Sequence, residues 1–207
     1  MVLILWRRSA ILTNKTLISF DVAKINFLKF SAFEFGDAVF SNTENFVTAV
    51  IDEKSFDKIV NYIENAKSSS DVEIIAGGNY DKSKGYFIEP TLFNNVDDSL
   101  PLAKEEVFGP VAISYKFKTT REAVNLANCL DTGLVAGVYT RDLSKALVLK
   151  DELDFGSVWI NGWFIGGLQA PNGGVKNSGF GRERGLPGLM NYVSIKNIGI
   201  SLSLIHI

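Results

Sequence analysis

The sequence predicts an α/β fold: an open, parallel, twisted sheet with flanking helices. Three observations predict it. Short β-branched or apolar runs alternate with amphipathic helical stretches through residues 111–160. The stretches carry their own start and stop signals. The spacing, strand–helix–strand–helix–strand, is that of parallel strands joined by crossovers. A chain of 207 residues is long enough to bury a core.

In chain order, residues 1–35 are apolar but hold neither a helical nor a strand period. They read either as a divergent strand–helix pair or as sequence foreign to the domain, loosely attached. From Asp52 the pattern sharpens: Phe56, Ile59, Val60 and Ile63 recur at i, i+3, i+4 and i+7, one stripe of an amphipathic helix. Ser68–Asp71 breaks it. Val72–Ala76 reads as a buried strand closed by Gly77-Gly78, followed by a loop over 79–85. Pro90 holds the segment Tyr86–Phe93 extended. Val111–Phe117 is the next predicted strand. Thr119 with Glu122 three residues on is a capping-box signature for a helix to about Leu130, and Gly133 stops it. Leu134–Thr140 reads as a strand, Asp142 caps a helix to about Leu153, and Gly156–Ile160 is a third strand. In such sheets ligands sit beyond the carboxyl ends, which directs attention to Thr140–Asp142 and to Asn161 onward. Val193–Ser201 reads as a last strand whose partner lies outside the domain. The closing SLSLIHI resembles translated sequencing adapter.

Composition narrows the function. Apolar residues make up 46% and charged residues 21%, which excludes wholesale disorder. A net charge of −2 gives no basic surface excess for nucleic acid or anionic lipid. No run reaches the roughly 18 apolar residues of a spanning helix. One Cys and one His leave no disulfide framework, zinc finger or two-His metal site, so no metal is expected. A sole thiol without a secretory signal favours an intracellular compartment, cytoplasm or mitochondrial matrix.

Two segments invite chemistry. In Lys104-Glu105-Glu106-Val107-Phe108-Gly109-Pro110, adjacent carboxylates and an aromatic precede a Gly-Pro turn and a strand. A carboxylate can accept hydrogen bonds from both hydroxyls of a vicinal diol, and an aromatic beside it can lie against a planar ring. On composition alone a solvated acidic turn, with Phe108 in the core, is the better reading. The glycine-rich span Pro171–Gly185 has neither dinucleotide-fingerprint nor phosphate-loop spacing. Cys129, with no His nearby, reads as a small buried hydrophobe rather than a nucleophile. Trp159 reads as core and Trp163 as pocket lining.

Taken together, KEEVFGPV, TGLVAGVYTRDLSKA, GSVWING and GGVKNSGFGRERG occur in an order and spacing that resemble the aldehyde dehydrogenase superfamily over residues from about 36 to 200. The resemblance implies the carboxy-terminal part of that family's catalytic domain over residues 36–192, an oligomerisation strand over 193–201 and a tail over 202–207. It implies NAD or NADP as cofactor, a small aldehyde as substrate and a homo-oligomer as assembly. By the same resemblance, Glu106 holds the nicotinamide ribose hydroxyls and Phe108 packs beside the nicotinamide. Asn161, Trp163 and the loop with Gly166 and Gly167 form the aldehyde pocket wall, and Glu183 lies near its entrance. Family chemistry uses a cysteine thiolate to attack the aldehyde, hydride transfer to NAD(P), and a glutamate-activated water that releases the acid.

The sequence also departs from the family. The family's cysteine falls near where this chain begins, residues 1–35 contain none, and Cys129 does not match its position. The general-base glutamate has no counterpart either, so no catalytic residue is assigned and the chain alone is expected to be inactive. Residues 46–110 most resemble the glutamate-semialdehyde (1-pyrroline-5-carboxylate) dehydrogenases of proline breakdown. After Pro110 the resemblance shifts to betaine-aldehyde-like members, with Gly166-Gly167 where the proline enzymes carry a serine-bearing loop. Asn172 replaces a phenylalanine before the double glycine. A non-catalytic subunit-association module and an artefactual reading frame remain the alternatives.

Overall fold

The structure, a computed structural model, describes residues 2–5, 10–13, 48–162 and 165–202. Its first helix, α1 (Glu53–Lys67), starts where Asp52 accepts a hydrogen bond from the Ser55 N–H at 2.7 Å. That cap satisfies one of the otherwise orphaned amino-terminal donors. The predicted stripe is the buried one: Phe56, Ile59, Ile63 and Ala66 face inward, with Val60 half-buried. The Ser55 N–H also holds the exposed Asp52 carboxyl below its ordinary range.

The described strands are β1 (Val2–Leu5), β2 (Ala10–Thr13), β3 (Glu73–Ala76), β4 (Tyr80–Asp81), β5 (Phe87–Ile88), β6 (Thr91–Asn94), β7 (Val111–Lys116), β8 (Thr132–Gly133), β9 (Val135–Tyr139), β10 (Ser157–Ile160) and β11 (Val175–Lys176). After α1 the helices are α2 (Pro101–Lys104), α3 (Thr120–Asn128), α4 (Leu143–Glu152) and α5 (Gly185–Met190). Thr119 and Asp142 cap α3 and α4 as the sequence predicts, each accepting from the N–H three residues on at 3.1 Å.

A seven-stranded sheet in the order β10-β9-β1-β2-β7-β6-β3 carries the fold. β10 runs parallel to β9, and β2, β7 and β6 run parallel to one another. β1 is antiparallel to both its neighbours, which gives β9 the same direction as β2. The α/β class therefore holds, with a mixed sheet. Two expectations are corrected. Residues 2–5 and 10–13 are not loosely attached: the β1–β2 pair sits in the sheet centre, between β7 and β9. Their runs, VLIL and AILT, are too short for a period to declare a strand. β3, read as a buried strand, is an edge strand antiparallel to β6, with Ile74 40% exposed.

Register shows where the helices lie. Ile113 pairs with Ala10, Ala10 with Leu5, Leu5 with Ala136, and Ala136 with Val158. Paired residues share a face, so Ile113, Ala136 and Val158 look the same way. Ile113 packs in one cluster with Phe56, Ile59 and Ile63 of α1 and Phe93 of β6. Ala136 and Val138 pack in another with Ala123, Val124 and Ala127 of α3 and Leu149 of α4. α1, α3 and α4 thus cover one face in a single layer. Ser157 and Trp159, alternating with Val158 and Ile160, belong to the opposite face.

Residues 192–200 are exposed throughout and form no strand among the described residues; the strand read over 193–201 takes its partner from outside the domain. A strand needs a hydrogen-bonded neighbour, and none of the described residues supplies one. α5 was not predicted, because GLPGLM carries two glycines and a proline. Among the described residues no helix is long and apolar enough to cross a membrane.

Candidate functional site

The first candidate cluster is the turn before β7. α2 ends at Glu105, whose N–H bonds the Pro101 carbonyl, and buried Val107 anchors the chain behind it. Phe108 then takes a left-handed backbone (φ 55°) that non-glycine residues rarely adopt. Gly109 follows where a Cβ would run into the Ile59 side chain of α1. The Thr91 N–H donates to the Pro110 carbonyl at 2.8 Å, tying the turn to β6. The outcome is an aromatic 77% exposed beside a half-buried Glu106. Phe108 is not in the core, so its ring face is available for stacking. Next to it, the Tyr62 hydroxyl donates to Glu105 at 2.5 Å. Burial, then the hydrogen bond and negative charge of Glu105, push this phenol up to about 12.

The second cluster lies along β10. Asn161 follows the strand with φ 56°. Its amide oxygen accepts from the Thr140 N–H at 2.8 Å, and its amide nitrogen donates to the Thr140 carbonyl at 2.9 Å. The Asn161 N–H also donates to the Val138 carbonyl at 2.7 Å. The side chain thus clamps the carboxyl ends of β9 and β10 together. Trp163 lies outside the described residues. Gly166 takes φ 126°, and with Gly167 it lines a small cleft of about 30 Å³ whose other walls include Ser157, Trp159, Asn172 and Arg184. Trp159, predicted as core, is half-buried in this cleft wall.

The glycine-rich span closes the cleft. Gly156 lies so near Gly173 that a Cβ on it would overlap the Gly173 carbonyl. Asn172 and Glu183 exchange backbone hydrogen bonds at 2.8 and 2.7 Å. Lys176 reaches the carbonyls of Asn128 and Leu130 at 3.0 Å and Asp154 at 3.1 Å, fastening the span to the end of α3. Arg182 donates to the carbonyls of Gly174 and Gly181. Glu183 is exposed and does not line the cleft, whereas its neighbour Arg184 does.

Sequence reasoning missed Ser157 and Arg184. Period-two alternation along β10 places Ser157 with Trp159 and could have found the first. The strained backbone of Arg184 (φ 61°) leaves no mark on residue type. Cys129 is exposed rather than buried, because it caps α3, where its thiol donates to the Leu126 carbonyl. It stands in the helical layer, on the other side of the sheet from Ser157 and Trp159. Among the described residues no group of three or more His, Cys, Asp or Glu side chains is placed to hold a metal.

The two clusters are not in contact. β7 and β10 stand four strand spacings apart, about 19 Å. A groove of about 970 Å³ belongs to neither: it lies open over α1, lined by residues such as Asp57, Asn61 and Tyr62. None of the predicted site residues lines it.

Comparison with known proteins gives one answer. The model of the aldehyde dehydrogenase family matches residues 23–198, so the likeness begins about a dozen residues before the segment that the motifs delimit. Human mitochondrial aldehyde dehydrogenase is 43% identical over 152 residues, 73% of this chain and 29% of that protein. Cytosolic aldehyde dehydrogenase 2 of Macroscelides proboscideus is 43% identical over 74% of this chain and 63% of its own length. Among solved structures, the NAD+ complex of Bacillus cereus aldehyde dehydrogenase superposes with a TM-score of 0.84 at 31% identity, covering 94% of this chain and 39% of that one. Betaine aldehyde dehydrogenase of Staphylococcus aureus gives 0.77 at 35% identity, covering 89% and 37%. The chain thus spans about 30% of the length of mitochondrial relatives.

Proposed function

The chain belongs to the aldehyde dehydrogenase family, and from that premise we propose that it serves NAD(P)-dependent oxidation of an aldehyde to a carboxylic acid. The observation that carries this reading is the turn before β7, where a left-handed Phe108 exposes its ring two residues after the half-buried Glu106. That donor set fits a nicotinamide riboside: a carboxylate accepts from a vicinal diol, and an aromatic face fixes a planar ring. When bound, the cofactor supplies the hydride acceptor. Glu106 holds the ribose and Phe108 orients the ring. Gly166, Gly167 and the cleft beside β10 receive the aldehyde. Asn161 acts on that wall through Thr140, and Glu183 stands near its entrance.

The chain by itself contributes binding surfaces rather than the nucleophile. Cys129 is committed to capping α3, on the helical side of the sheet. L-Glutamate γ-semialdehyde is our proposed substrate, on the resemblance of residues 46–110 to the proline-breakdown enzymes. Assembly as a homo-oligomer rests on residues 193–201, an exposed stretch with apolar Val193, Ile195, Ile198 and Ile200, and mitochondrial and cytosolic relatives support an intracellular compartment.

The test is titration of the chain with NAD+, read by protein fluorescence, for the natural sequence and Glu106→Gln. Binding weakened about tenfold by the substitution is expected. Equal affinity overturns the Glu106 assignment. Sustained turnover of aldehydes by the isolated chain overturns the assignment of no nucleophile.

A further inference from the structure

We propose that Arg184 is the specificity-determining residue of the cleft beside β10 and that the aldehyde it selects carries a carboxylate. The proposal deepens the reading of that cleft as the aldehyde site and rests on it.

Four observations converge on Arg184. First, it lines the cleft together with Ser157 and Asn172, so among the described lining residues the only full charge is positive. The nearest carboxylate in sequence, Glu183, is paired through its backbone with Asn172 and is not among the lining residues. Second, among the described residues no acceptor is recorded for the Arg184 guanidinium, whereas Arg182, two residues away, spends its own on main-chain carbonyls. Third, Arg184 holds φ 61° and ψ 171°, a combination that is essentially the preserve of glycine. A glycine would sit there without strain, and glycine does occupy the next position. The arginine therefore stands against a backbone preference, at a position that lines the cleft. Fourth, Gly166 and Gly167 line the same cleft without side chains, and the free space of about 30 Å³ admits one or two water-sized atoms. The two oxygens of a carboxylate, entering first, meet that size.

The chemistry follows from shape. A guanidinium presents paired N–H donors in a fork that matches the two oxygens of a carboxylate. The Ser157 hydroxyl and the Asn172 amide supply neutral donors within the same walls. An uncharged aldehyde leaves the guanidinium without a counter-charge, so the cleft discriminates by charge rather than by bulk.

The test uses the full 207-residue chain, labelled with 15N, and two small probes of the same shape, butyrate and its neutral isostere butyramide. The Nε–Hε signal of Arg184 is assigned by its loss in Arg184→Gln. Butyrate is expected to shift that signal saturably and to bind at least tenfold more tightly than butyramide. Arg184→Gln and Arg184→Gly are both expected to remove the preference; the glycine variant also releases the backbone, so it keeps the fold. Equal affinity for the two probes, no binding of butyrate, or unchanged preference in either variant overturns the proposal. NAD+ added to the same samples reads the amides of residues 104–109 independently. A charge preference without an NAD+ response defeats the dehydrogenase reading alone, and an NAD+ response without charge preference defeats the Arg184 assignment alone.

Discussion

Replacing Asn161 with alanine isolates the clamp at the carboxyl ends of β9 and β10. The substitution removes two side-chain hydrogen bonds, of 2.8 and 2.9 Å, to the Thr140 backbone. Each is worth about 0.5–1.5 kcal/mol net. Both bonds are solvent-accessible, so water replaces part of the loss and the pair contributes about 1–2 kcal/mol. The left-handed backbone (φ 56°) adds about 1 kcal/mol for alanine, which lacks the local hydrogen bonding that makes asparagine tolerant of it. The expected total is about 2–3 kcal/mol. Asn161→Gly loses the same bonds without the backbone penalty and should cost about 1 kcal/mol less than alanine. Urea unfolding followed by circular dichroism measures both: with a slope of about 2 kcal/mol/M, alanine lowers the midpoint by about 1 M. A loss below about 0.5 kcal/mol for alanine refutes the clamp. A glycine variant less stable than the alanine one refutes the backbone argument.

Gly156→Ala drives a Cβ into the Gly173 carbonyl, so it should displace the glycine-rich span and lower stability by about 3 kcal/mol or more, read by thermal melting. Thr119→Ala removes the cap of α3 and should cost about 1 kcal/mol in the same assay. Phe93→Ala empties a fully buried site between α1 and the sheet and should cost about 3–5 kcal/mol, measured by urea unfolding. Tyr62 titrates higher in the folded chain, at about 12, than its ordinary value of 10.0. Its contribution is therefore complete below pH 10 and is lost as pH rises through about 12. Phenolate absorbance should show a late-titrating component that disappears in Tyr62→Phe.

The local part of the fold was legible because its causes are local. Asp52, Thr119 and Asp142 cap helices by reaching three residues ahead, and the stripe of α1 is a matter of spacing along one element. Strand order was not legible, because pairing joins residues far apart in sequence: nothing in VLIL or AILT announces that these runs part β7 from β9. Likewise, the strand read over 193–201 depends on a neighbour from outside the domain, which no spacing within the segment reveals. Cys129 misled for a related reason. Residue type suggests burial, but position decides it, and the residue that ends α3 faces out.

The candidate site divides along the same line. Glu106 and Phe108 stood out as residue types, yet only the conformation of Phe108 separates a ring packed in the core from one turned outward. Asn161 was read as pocket wall from its place after β10, but both ends of its amide are spent on Thr140. Its influence on a ligand therefore passes through the strand ends it holds, whereas Arg184 has charge to offer directly. A positioning residue changes the shape of a site for every ligand alike. A charged lining residue changes the choice between ligands. Substitution of Asn161 should consequently weaken butyrate and butyramide together, while substitution of Arg184 should weaken only butyrate, and that contrast separates the two roles in one titration series.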